Sequence, residues 1–229
     1  MTGSDLSTFT PRLTPGGDVL TGTDVRLEPL DWAAHGDGLF AAIGGTENAA
    51  LWDFVSVGPF TDRATFAADL SAVAEKGRWR TMVIVDEANA AAGPVLGTMS
   101  FMRLREEHGS CEIGCVVFST ALQRTRAATE AFYLTARHVF DDLGYRRYEW
   151  KCDDRNATSR RAAERFGFTY EGAFRNDMVV KGCGRDTAWY SITAAEWPAG
   201  KAALEAWLAP DNFDADGRQL KPLAQVRAD

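Results

Sequence analysis

The stretch SCEIGCVVFSTALQRTRAATEAFYLTARHVF, Ser110 to Phe140, joins two periodicities at a single turn. Its first nine residues alternate as a strand. That puts Glu112, Gly114, Val116 and Phe118 on one face and Cys111, Ile113, Cys115 and Val117 on the other. After the turn the period becomes helical: Phe132, Ala136, Val139, Phe140 and Leu143 line one side, Arg137 and Asp141 another, and Gly144 is a stop signal. Arg124 and Arg126 stand where this helix begins. A helix N-terminus is the positive end of the macrodipole, so each cation there is unfavourable by about 0.3 kcal/mol or more, and an anion would reverse the sign. The expected occupant is a phosphate. A solvated pair, with Glu130 four residues after Arg126 as a bridging partner, is the alternative.

Upstream, VRLEPL (Val25 to Leu30) alternates as a strand, Asp31 caps a helix over DWAAHGDGLFAAI, and Asp62 caps RATFAADLSAVAEKG, which closes at Gly77. TMVIVDEANAAAGPVLGTMSFMRL reads as a hairpin with an Ala/Gly/Pro turn. Downstream, RRYEWKC sets Tyr148, Trp150 and Cys152 inward and Arg147, Glu149 and Lys151 outward, as in a half-buried strand. NATSRRAAERFGF is a short helix ended by Gly167, and FTYEGAF and TAWYSI complete the core as strands. The order is one strand, two helices, three strands, helix, strand, helix and two strands. That is an α/β (α+β) chain with a mixed, mostly antiparallel central sheet flanked by helices.

Residues 1–23, rich in Thr, Gly, Pro and Ser, read as a loosely docked arm, and 24–195 as the folded domain. Residues 196–229 read as an appended amphipathic helix (Lys201 to Leu208) with a polar tail. The net charge of −7 argues against nonspecific nucleic-acid binding and suits an amine-bearing acceptor. No apolar run is long enough for a membrane span and no signal peptide is visible, so a cytoplasmic location and no membrane partner are expected. Four cysteines without a CxxC pair and three histidines give a zinc site little to build on, so no metal is expected. Cys111 and Cys115 read as small buried hydrophobes.

Three segments in this order and spacing, CEIGCVVF, ATEA (Ala128 to Ala131) and N-x-x-S-x-x-x-x-E-x-x-G-F (Asn156 to Phe168), resemble the GNAT acyltransferases, most closely the RimJ/RimL-like branch. The similarity spans roughly residues 24–195. It implies the GNAT fold and acetyl-CoA, with the pantetheine amides pairing to the strand near Val116, Val117 and Phe118. It also implies a pyrophosphate on the amides of a loop of pattern Q/R-x-x-G-x-G/A. That loop here is Gln123, Arg124, Thr125, Arg126, Ala127, Ala128, with Arg126 in place of the first glycine. The replacement is tolerable if Arg126 keeps helical dihedrals, and its guanidinium then adds a phosphate contact.

The resemblance further implies Glu112 as general base, with a salt-bridged strand carboxylate as the other reading. The tyrosine that many members use as acid falls on Ala163 and is absent; Ser159 matches a serine able to hydrogen-bond the sulfur, or is a helix cap. A glutamate of RimL-like enzymes falls on Met178, beside Asp177. Asn156 is expected to contact the pantetheine arm, to cap the following helix, or both.

The acceptor pocket is expected from NAALWDFVSVGPF, with Trp52, Phe54 and Phe60 in an apolar collar and Asp53 attracting a cationic amine, and from the loop 176–185. Packing is the bland reading of those aromatics. Together these point to an N-acetyltransferase acting on a protein N-terminal amine or a small-molecule amine; a noncatalytic acyl-CoA-binding module is the alternative. A homodimer through a sheet edge or the C-terminal segment is one assembly consistent with the pattern.

Overall fold

The computed structural model describes residues 5–87, 89 and 93–228. Strands β1 (Leu20–Thr21) and β2 (Val25–Pro29) precede helices α1 (Trp32–Ile43) and α2 (Arg63–Gly77). Then come β3 (Arg80–Asp86), β4 (Val95–Arg105), β5 (Ser110–Phe118) and α3 (Arg126–Arg137), which continues as a π-helical turn to Asp142. β6 (Arg147–Asp153), α4 (Ala157–Phe166), β7 (Thr169–Val180), β8 (Cys183–Thr193), α5 (Trp197–Leu208) and α6 (Leu223–Val226) follow. Among the described residues the strands form one sheet in the order β1-β2-β3-β4-β5-β6-β8-β7, antiparallel throughout except for β5 and β6. The expected turn between β3 and β4 lies partly outside the described residues, at 88 and 90–92.

Local chemistry sets the helix ends. The Asp31 carboxylate accepts from the amides of Ala33 and Ala34, and Asp62 from that of Ala64, as the sequence suggested. α2 closes one residue later than expected: Arg78 takes the left-handed position (φ 53°), while Gly77 stays helical where a Cβ would lie 2.1 Å from the Trp79 indole nitrogen.

The sheet has a core on each face. Against α3, α4 and α5 it buries Cys111, Ile113, Tyr148 and Trp150 with Phe132, Phe166 and Leu204, Phe132 stacking on Phe166 at 4.3 Å. Against α1 and α2 it buries Val117 with Leu39, Ile43, Trp52, Phe66 and Leu70. The strict alternation expected for β5 fails at Cys115, which has φ 45° and sits where the pairing with β4 slips between Ser100↔Gly114 and Thr98↔Val117. One inserted residue moves everything after it to the opposite face. Cys115 and Val117 therefore pack towards α1 and α2, while Val116 and Phe118 pack towards α3.

Three further expectations change. The C-terminal segment is not an appendix: α5 starts four residues before Lys201 and buries Trp197, Leu204 and Trp207 in the larger core. The described part of the arm is docked, through the Arg12 amide donating to the Glu106 carbonyl (3.0 Å) and the Tyr145 hydroxyl donating to that of Leu13 (3.1 Å). Residues 176–185 are not a loop, since β7 and β8 form one long hairpin.

Candidate active site

β5 and β6 pair over three positions only, Ser110↔Arg147, Cys111↔Tyr148 and Glu112↔Glu149. Beyond Glu112 they part, β5 staying with β4 and β6 with β8. From Gly114 to Phe118 the edge of β5 that faced β6 has no strand partner among the described residues, so its backbone groups can pair with an extended ligand. At the end of that edge the Gln123 side-chain amide donates to the Phe118 carbonyl at 3.0 Å, which occupies one acceptor the cofactor was expected to use.

The loop after β5 delivers the chain into α3. Thr125 caps the helix, its hydroxyl accepting from the Ala128 amide (3.1 Å) and donating to the Leu122 carbonyl (2.6 Å). The amides of Arg126 and Ala127, in the first turn, have no intrahelical acceptor. Arg124 is exposed in a left-handed conformation (φ 63°), and among the described residues its side chain meets no carboxylate or carbonyl.

Arg126 departs from expectation. It does begin the helix, but its Nε and Nη2 donate to the Leu208 carbonyl (3.1 and 2.9 Å) and its Nη1 to Asp24 (3.1 Å). Its guanidinium thus caps the negative end of α5 and is turned away from a phosphate. The alternative bridge to Glu130 is not formed either, because the Glu130 carboxylate accepts the amides of Thr23, Asp24 and Val25 at 2.7–2.9 Å.

Glu112 lies where β5 and β6 part, on the α1/α2 face, and is 2% exposed. Burial pushes its carboxyl up from the ordinary range to about 7, against the opposing pull of Lys151 and Arg103. Lys151 Nζ lies 3.2 Å and Arg103 Nε 3.8 Å from Oε2, so that oxygen faces two cations. Gly114 makes the room: a Cβ there would lie 2.7 Å from Glu112 Oε1 and 2.6 Å from Met102 Sδ.

Beside it stands Glu149, which strand alternation placed outward in solvent but which is also 2% exposed. The parallel register sets the two carboxylates side by side. Glu149 Oε1 accepts from Arg105 Nη2 and from Arg147 Nε (2.8 Å), while Oε2 accepts no hydrogen bond among the described residues. Arg103, at φ 46° where the β4–β5 register slips, brings Nε to 3.6 Å from Glu149, and its guanidinium lies 4.9 Å over the Trp189 ring. Sequence reasoning missed Glu149, Arg103, Arg105, Lys151 and Trp189 as site residues. The alternating charges of β6 were the visible signal, and only the neighbouring parallel strand gives them meaning.

The remaining candidates divide. Asn156 caps α4, its Oδ1 accepting from the Ser159 amide at 3.0 Å, and its side-chain NH2 stays free to donate among the described residues. The Ser159 hydroxyl accepts from the Trp150 indole at 3.0 Å and borders the Cys152 thiol. Trp52 is wholly buried, with Nε1 donating to the Ile43 carbonyl at 2.7 Å, so it is core and not a collar around a substrate. Asp53 is exposed and Phe54 is 45% exposed. Lys181 at the tip of the β7–β8 hairpin donates to the Trp52 carbonyl at 2.6 Å, which ties the hairpin to the α1–α2 connection on the Glu112 side of the sheet.

An open strand edge, free amides at a helix start and an uncommitted arginine suit an extended ligand ending in a diphosphate. Among the described residues no helix is long and apolar enough to cross a membrane. No curated protein matches the chain. Among solved structures, a GCN5-related N-acetyltransferase from Brucella melitensis is 44% identical over 97% of this chain and 100% of that one, with a TM-score of 0.91. A probable acetyltransferase of the GNAT family from Chromobacterium violaceum is 36% identical over 86% and 97%, with a TM-score of 0.79. A putative acetyltransferase from T. thermophilus is 31% identical over 84% and 97%, with a TM-score of 0.73. Residues 25–169 match the family model of the acetyltransferase (GNAT) domain, and the chain belongs to this family of acetyl-CoA-dependent N-acetyltransferases.

Proposed function

We propose that this enzyme transfers acetyl from acetyl-CoA to a primary amine by direct attack, with Glu112 as general base. The observation that carries the reading is a buried carboxyl with a pKa of about 7, at the point where two parallel strands part. A base poised near the working pH is half ionised there and still basic enough to take a proton from an amine. The amine gives that proton to Glu112 directly or through one water, its nitrogen bonds to the acyl carbon, and the carbon–sulfur bond breaks. The thiolate, of ordinary pKa about 8.5, leaves without a dedicated acid, since Ser159 is held between Trp150 and Cys152.

The pantetheine arm lies along Val116, Val117 and Phe118, with the Asn156 amide donating to it. The diphosphate rests on the loop from Gln123 through Thr125 to Ala128, on the amides of Arg126 and Ala127, with Arg124 as its cation. Asp53 and Phe54 stand at the acceptor rim, and Trp52 supports them from the core. Whether the chain sits in the RimJ/RimL-like branch turns on whether the amine is a protein N-terminus or a small molecule.

Thiol release from acetyl-CoA on addition of amines, measured with wild type and Glu112→Gln, tests this. Amine-dependent release that collapses in the variant, with acetyl-CoA still bound, is the expected result. Equal turnover by both proteins removes Glu112 from the chemistry.

A further inference from the structure

The acceptor side of Glu112 is unusually rich in cations for a chain of net charge −7. Arg103, Arg105, Arg147 and Lys151 surround Glu112 and Glu149, and Glu171, paired with Arg147 at 2.5 Å, adds a third carboxylate beside them. A polyamine would meet carboxylates that already have cations beside them, so it gains little attraction.

Those cations are not equivalent. Arg105 and Arg147 are hydrogen-bonded to Glu149, and Lys151 lies against Glu112. Arg103 reaches the same two carboxylates only at 3.6 and 3.8 Å, beyond hydrogen-bond distance, and its side chain is 41% exposed. It is also held deliberately. A non-glycine residue at φ 46° is strained, and the Arg103 guanidinium rests 4.9 Å over the Trp189 ring, where a cation–π contact holds it. Lys151↔Trp189 and Asp153↔Thr187 are register partners, so Trp189 and Thr187 share the face of Glu149. Trp189 Nε1 and Thr187 Oγ1 are buried there without hydrogen-bond partners among the described residues, whereas Glu112 Oε2 has Lys151 Nζ at 3.2 Å and Glu149 Oε2 has Arg103 Nε at 3.6 Å. Unpaired buried polar groups are rare enough in a folded protein to imply a ligand or water at the site.

Resting on the acetyl-transfer reading above, we infer that the acceptor is a small amine that also carries a carboxylate, as in an amino acid, and that Arg103 receives that carboxylate while the amine faces Glu112. The short reach from Arg103 Nε to Glu112 Oε2, 3.8 Å, requires a short spacer between the two groups. A planar guanidinium matches a carboxylate by two parallel hydrogen bonds, which a lysine cannot reproduce.

The test compares CoA release with α-amino acids, the same compounds lacking the carboxylate, spermidine, and a peptide with a free N-terminus. An amino acid is expected to exceed its decarboxylated counterpart in kcat/KM by about tenfold or more. Arg103→Gln and Arg103→Lys are expected to collapse that ratio towards one, through KM for the amino acid, with acetyl-CoA affinity unchanged. Equal or better turnover of the decarboxylated amine, spermidine or the peptide by wild type overturns the inference and leaves acetyl transfer standing. An unaltered ratio in both folded variants removes Arg103 from it. No release with any amine overturns acetyl transfer itself, and the inference with it.

Discussion

At the start of α3, Arg126 gives all of its guanidinium nitrogens to the protein, two to the Leu208 carbonyl and one to Asp24. At the parting of β5 and β6, Arg103 makes no hydrogen bond through its guanidinium among the described residues and rests on an aromatic ring. The same side chain, within two residues of another arginine in each case, is a structural clamp in one place and an open receptor in the other. What separates them is whether nearby carbonyls and carboxylates satisfy the donors before a ligand arrives. The lesson extends to Arg124, which is exposed and meets no carboxylate among the described residues, and to Glu130, whose carboxylate is saturated by three amides.

The sharpest way to break this comparison is at the carboxylate. Glu112→Gln is expected to lower kcat by about 10²- to 10⁴-fold while acetyl-CoA affinity is kept. In wild type kcat/KM should rise with pH through about 7 as Glu112 ionises, and steady-state profiles of the variant should lack that limb. The same substitution carries a stability signature of opposite sense. Because the folded-state pKa is raised from 4.5 to about 7, the native state holds the proton more tightly than the unfolded chain. The stability that this supplies is complete below pH 4.5 and is lost as pH rises to about 7. Relative to wild type the glutamine variant should therefore gain by about 3 kcal/mol between pH 4 and pH 8 in chemical denaturation. A constant difference across that range would mean that the carboxyl is not strained by burial.

Smaller effects sharpen the other corner. Arg126→Ala should cost about 1–2 kcal/mol of stability, read as a lower melting temperature, by uncapping α5 and freeing Asp24, with acetyl-CoA affinity almost untouched. Arg124→Ala should do the reverse, weakening acetyl-CoA by about three- to tenfold in titration calorimetry with no change in melting. If the two variants exchanged phenotypes, the assignment of clamp and receptor would be inverted.

The element order from β2 to β8, the caps at Asp31 and Asp62, the amphipathic α3 and the stop at Gly167 were legible, because each depends on residues within a few positions of one another, whereas the two-residue β1 and the one-turn α6 are too short to carry a period and were read as arm and tail. Glu112 was legible through its place before the loop of Gln123 to Ala128. Glu149 was not, because its own strand gives it the alternation of a solvent face. The bulge at Cys115 was equally silent: nothing in CEIGCVVF marks where its pairing with β4 slips, and that slip exchanges the faces of Val116 and Val117. Trp52 and Phe54 read alike in one loop, and only packing buried the first and exposed the second.

The chain's own periodicities and turn residues thus determined which segments become strands and helices and in what order they run. Tertiary structure alone decided that two glutamates distant in sequence would lie side by side out of water, that one arginine would be consumed by a helix end, and that another would remain open. Hydrogen-bond satisfaction and desolvation depend on what the fold brings within about 3–4 Å of a group, and residues brought there from other strands leave no mark in its local pattern.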